Sequence, residues 1–100
     1  MLGVSRASIT RKLKHVADDL KRLRADLLVA EEQVAHFVSE ADDARLRAMV
    51  SETPLADAEA REALRHAEAQ RQAQTNLLRS IADLEREQDS LLDRMSAETS

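Results

Sequence analysis

Three histidines and a scatter of acids are the residues in this chain of 100 able to do acid–base or metal chemistry. Glu32 stands four residues before His36, and Glu62 four before His66. On a helix that spacing makes two local Glu–His couples. A carboxylate-bridged di-metal site in a helix bundle needs a different spacing, with Glu three residues before His and both facing inward. No Glu or Asp stands three residues before His15, His36 or His66. Cysteine is absent, which removes thiol and disulfide chemistry. Gly3 is the only glycine, so there is no glycine-rich phosphate loop. A catalytic site needs convergent groups in a cleft, and nothing here converges. The chain is expected not to be an enzyme and to hold no metal or cofactor.

The elements that position these residues are set by one stretch, Ser51-Glu52-Thr53-Pro54, which holds the only proline. Proline disfavours the α conformation in the residue before it and suits the first position of a helix. Thr53 is therefore the expected N-cap of a second helix. The box that would complete this cap lacks its Glu or Gln, because Ala56 stands there. At the other end of the chain, Ser5 or Ser8 is the expected cap of the first helix.

Both flanking segments carry a heptad seam. In the first, apolar residues recur at steps of four and three: Ile9, Leu13, Val16, Leu20, Leu23, Leu27, Ala30, Val34, Phe37, Ala41, Ala44 and Ala48. That spacing is the a/d pattern of a left-handed coiled coil. The positions whose numbers complete a sum of 104 are Met95, Leu91, Gln88, Leu84, Ile81, Leu77, Gln74, Gln70, Ala67, Ala63, Ala60 and Ala56. None is charged. The reflection point is Glu52, inside the expected turn, so an antiparallel pair puts each seam residue opposite another. Phe37, the only aromatic, faces small Ala67. The glutamines are read as register-setting residues.

Charges beside the seam attract near the turn, where Arg47 faces Glu59, Arg45 faces Asp57 and Glu31 faces Arg71. At the open end Asp19 faces Glu87 and Lys12 faces Arg94, which repel. The turn half is therefore expected to be the better specified one.

Residues 1–24 carry seven basic groups against Asp18 and Asp19, a net of +5, leaving −9 for the remainder to reach the overall −4. Arg11, Lys12, Lys14, Lys21, Arg22 and Arg24 are the candidate contacts to a nucleic acid or another polyanion. The acids of residues 80–100 are the expected neutralising partners. No aromatic residue is available there for base stacking. Glu40, Asp42, Asp43, Glu52, Asp57 and Glu59 make the turn end acidic. A helical hairpin with an acidic tip resembles the transcript-cleavage and secondary-channel factors of bacterial RNA polymerase. In them such a tip reaches the catalytic magnesium. The resemblance covers the hairpin shape and the tip acids, without a residue-by-residue motif and without their globular domain. Small secreted helical-hairpin proteins with a Trp-x-Gly turn are excluded, since the chain has no tryptophan and no glycine at its turn.

No run is apolar enough to span a membrane. Met1–Val4 lead directly into charged sequence, so a cytoplasmic location is expected. Twelve arginines against three lysines point to a GC-rich, bacterial genome. The expected fold is all-α, an antiparallel two-helix coiled-coil hairpin dimerising into a four-helix bundle. It has helix 1 at about 6–50, a turn at 51–54 and helix 2 at about 54–97, as one domain over 1–100 with frayed ends at 1–5 and 98–100. Leu64, Leu78 and Leu92 fall on e positions fourteen residues apart, with Val38 and Ala17 on the same side of the first helix. Two helices leave that stripe uncovered, and an uncovered apolar stripe signals a partner. Val38, Leu64, Leu78 and Leu92, with Leu28 further round, are the expected protein interface. The expected function is a self-associating, non-enzymatic interaction module; the alternative is a regulator binding nucleic acid or RNA polymerase.

Overall fold

The structure is a computed structural model, and it describes residues 5–99. It is all-helical, with α1 at Arg6–Ser51 and α2 at Pro54–Thr99 and no strand among the described residues. Ser5 caps α1: its hydroxyl accepts a hydrogen bond from the Ser8 N–H at 3.2 Å, and its carbonyl accepts one from the Ile9 N–H at 3.0 Å. Residues 1–4 and 100 of the expected frayed ends lie outside the described residues. α2 continues to Thr99 rather than stopping near 97, because Ser96-Ala97-Glu98 contains no glycine or proline to break it.

The turn is built from two caps back to back. Glu52 takes a left-handed conformation, φ 53°, and its N–H donates to the Ala48 carbonyl at 3.0 Å. This is the αL ending usually given to glycine. Thr53 then caps α2, its Oγ1 accepting from the Ala56 N–H at 3.1 Å and its carbonyl from the Asp57 N–H at 3.0 Å. Pro54, with no N–H to lose, is the first helical residue. Asp57 lies in the first turn of α2, where the helix dipole favours a negative charge. Arg45 and Arg47 lie too far back to act on the last turn of α1, which holds no basic residue.

Burial follows the seam. All 24 seam residues are buried or half-buried, and only Ser8, Asp19, Val38 and Ala82 join them among the described residues. The fully buried ones are Ile9, Val16, Leu20, Ala30, Ala44, Ala56, Ala67, Ile81 and Leu91. No polar residue is buried among the described residues. Gln70, Gln74 and Gln88 sit half-buried, and no buried side-chain nitrogen or oxygen lacks a hydrogen bond among the described residues.

The chain divides into two compact units. One joins α1 up to Asp26 to α2 from Leu77 onward. Its core is large and aliphatic: Ile9, Val16 and Leu20 against Ile81 and Leu91, with Ile9 and Leu20 only 1% exposed. Each such side chain contributes about 1.5–3 kcal/mol by leaving water. The other unit, Leu27–Asn76, contains the turn. Its buried core is alanine, at positions 30, 44, 56 and 67. The chain reverses within it, so that Phe37 of α1 lies beside His66 of α2, with ring centroids 5.9 Å apart.

The charge pairs differ from expectation. Among the described residues, Arg45–Asp57, Arg47–Glu59 and Glu31–Arg71 are not within 4 Å, and the ion pair that joins the helices is Arg24–Glu85 at 3.2 Å. It lies in the half where the nearest pairs repel. Arg24 and Glu85 are as exposed as the charged residues beside the turn, so burial does not explain the difference. Asp19 is likewise not left against Glu87: it is half-buried and pairs with Arg22 at 3.4 Å.

Candidate functional site

His36 and the Glu62–His66 couple meet on one side of the Leu27–Asn76 unit, and Glu32 is not among the residues there. His36 packs edge-on against Phe37, ring centroids 5.1 Å apart, and His66 lies on the other side of the same ring. His66 Nε2 is 3.6 Å from the Glu62 carboxylate. These groups, with Glu40 and Glu59, rim an open groove of about 330 Å³. The seam spacing places Phe37 inward and hangs the polar residues at its edges. Both histidines are exposed. Among the described residues no three His, Asp or Glu side chains are placed to hold a metal ion. The groove is an open edge around an aromatic ring.

The expected interface residues lie where the heptad register puts them, off the seam. Leu64, Leu78 and Leu92 are 50%, 49% and 50% exposed, about the same along all of α2. Val38 is half-buried and Ala17 exposed. Leu28 is exposed, with Val29 beside it. Leu64 also borders a second groove of about 330 Å³, where the seam alanines Ala41 and Ala60 meet Asp42, Arg45 and Arg61. Alanine on both helices leaves space that larger seam residues would fill.

All six candidate cations, Arg11, Lys12, Lys14, Lys21, Arg22 and Arg24, are exposed. Three of them already have an acid within 4 Å: Lys14 with Asp18, Arg22 with Asp19, and Arg24 with Glu85. The acids of α2 supply only the last of these. The others come from α1 itself, three or four residues away, the short-range pairing that helix geometry favours.

Comparison with protein-family models, with curated proteins and with solved structures finds no match for this chain. No helix among the described residues is long and apolar enough to cross a membrane.

Sequence reasoning missed one apolar group. Leu46, Met49, Val50 and Leu55 flank the turn and are 60–84% exposed. The signal was present: these residues occupy outward b, c and f positions, where a helix of this kind carries polar side chains. Asp42 and Arg45 share a shallow groove with Leu46 and Met49, so the turn end is mixed rather than simply acidic.

Proposed function

We propose that this chain is a non-enzymatic coiled-coil interaction module that associates with itself, two hairpins packing into a four-helix bundle. The observation that carries the reading is the evenly spaced trio Leu64, Leu78 and Leu92, half-exposed on one side of α2 while every seam residue is covered. A two-helix fold buries one narrow seam, and small scaffolds commonly gain stability by oligomerising. Closing a second seam of leucines would remove the exposed apolar area and give α2 a partner on each flank. Placement in the cytoplasm accords with the absence of cysteine and with the high charge.

Solution mass by light scattering tests it. A mass of twice 11.2 kDa is expected for the native chain, falling to one chain when Leu78 and Leu92 are both replaced by Glu. A native monomer at the highest concentration reached would overturn the proposal.

A further inference from the structure

The residues between the leucines say how two copies meet. From Asp57 to Leu92 the e positions of α2 read Asp57, Leu64, Arg71, Leu78, Glu85, Leu92: charge and leucine alternate. α2 is one uninterrupted helix over this stretch. The charges are not all of one sign, and that asymmetry discriminates between registers.

We infer that two copies associate isologously through α2, antiparallel, with a two-fold axis at Leu78. In this register Leu78 meets Leu78 of the second copy. Leu64 meets the second copy's Leu92, and Arg71 meets its Glu85; each of these pairs occurs twice because the surface is self-complementary. No other register does as well. A parallel, in-step pairing sets Arg71 on Arg71 and Glu85 on Glu85. An axis at Arg71 opposes two arginines and sets Asp57 against Glu85. An axis at Glu85 opposes two glutamates. An axis at Leu64 keeps the charge match of Asp57 with Arg71 but leaves both Leu78 and Leu92 beyond the end of the partner helix. Like charges placed face to face select against wrong partners and registers.

Two further observations fit. Leu64 borders the groove left by Ala41 and Ala60, so the leucine arriving from position 92 of the second copy finds space beside it. Glu85 is already held at 3.2 Å by Arg24, which keeps its carboxylate on this flank, ready to accept Arg71 of the second copy. Arg71 itself has no acid within 4 Å in its own chain among the described residues. Against the register stand two approaches of like charges: Glu68 near Asp89 of the second copy, and Arg71 of the second copy near Arg24, which shares the Glu85 carboxylate. All of these side chains are exposed, where such terms stay small.

This inference rests on the self-association reading, and single-cysteine crosslinking tells the two apart. The native chain has no cysteine to interfere. Leu78→Cys, treated with a short bismaleimide, should give a covalent dimer. Leu64→Cys alone and Leu92→Cys alone should not, while an equimolar mixture of the two should. A dimer by mass whose Leu64→Cys form crosslinks to itself would mean a parallel pairing or an axis at Leu64, and would overturn the register while leaving self-association intact. So would a dimer in which Leu78→Cys fails to crosslink. A monomer by mass would remove both. As an independent check, Arg71→Glu should weaken the dimer by about tenfold, two exposed pairs being each turned from attraction to repulsion. Adding Glu85→Arg in the same chain should recover most of that loss. Helix content by circular dichroism shows that each variant still folds.

Discussion

Arg24 of α1 lies 3.2 Å from Glu85 of α2, the ion pair within 4 Å that joins the two helices among the described residues. Both side chains are about half exposed, so water screens the attraction. A double-mutant cycle with Arg24→Ala and Glu85→Ala, read by urea unfolding, should give a coupling of at most about 1 kcal/mol. In about 1 M salt the coupling should nearly vanish. A coupling that ignored salt would mean the pair is not held as described.

The cap on α2 is a single hydroxyl. Thr53→Ala removes the acceptor for the Ala56 N–H and should cost about 1 kcal/mol. Thr53→Ser should restore most of it. Equal stability of the alanine and serine variants would show that water serves the Ala56 N–H as well as the threonine does.

Glu52 occupies a conformation that L-residues with a side chain disfavour. Glu52→Gly should therefore raise stability by about 0.5–1 kcal/mol, even though glycine loosens the unfolded chain. Glu52→Val should lower it, since β-branching crowds that backbone further. Thermal midpoints of the three proteins order the series, and glycine ranking below glutamate would contradict the αL ending.

Leu20 is buried to 1% exposure, whereas Leu28, eight residues on, is largely in solvent. Leu20→Ala should cost about 2–5 kcal/mol by lost burial and the cavity left behind. Leu28→Ala should change stability by less than about 0.5 kcal/mol. Comparable losses at both sites would place Leu28 in an interface and extend the partner surface round the helix.

Arg6, Arg11, Lys12 and Lys21 are the cations of the basic segment without an acid within 4 Å among the described residues. Four such charges release few counterions. Gel retardation with duplex DNA at low salt should show no shift. A salt-sensitive shift, lost on changing those four residues to Ala, would favour the polyanion-binding reading instead.

Much of the fold was legible from periodicity alone. A constant sum of 104 picked out 24 positions, and each is shielded in the structure. The cap at Thr53 was legible because proline after it leaves few alternatives. The ending of α1 was not. Nothing about glutamate advertises a left-handed backbone, and only the positive φ of Glu52 reveals it. The charge pairs were misjudged for a related reason. Heptad geometry says which Cα positions are near, but the ends of Arg and Glu side chains move several ångströms, and solvent competes for them. The exposed residues around the turn were overlooked because Leu46, Met49, Val50 and Leu55 obey no period, and a search for order passes over them.

The mirror relation of the seam has a consequence for how chains are shared. A seam whose partners sum to a constant is satisfied equally by one chain folded on itself and by two opened chains lying head to tail. Residue for residue the pairings are identical; only ownership of the helix that supplies them changes. What separates the two outcomes is the handful of atoms at Ser51–Pro54. In this structure that joint carries the left-handed Glu52 and the Thr53 cap. Straightening that joint would let the same seam be closed by two chains, each residue meeting the position that completes the sum of 104.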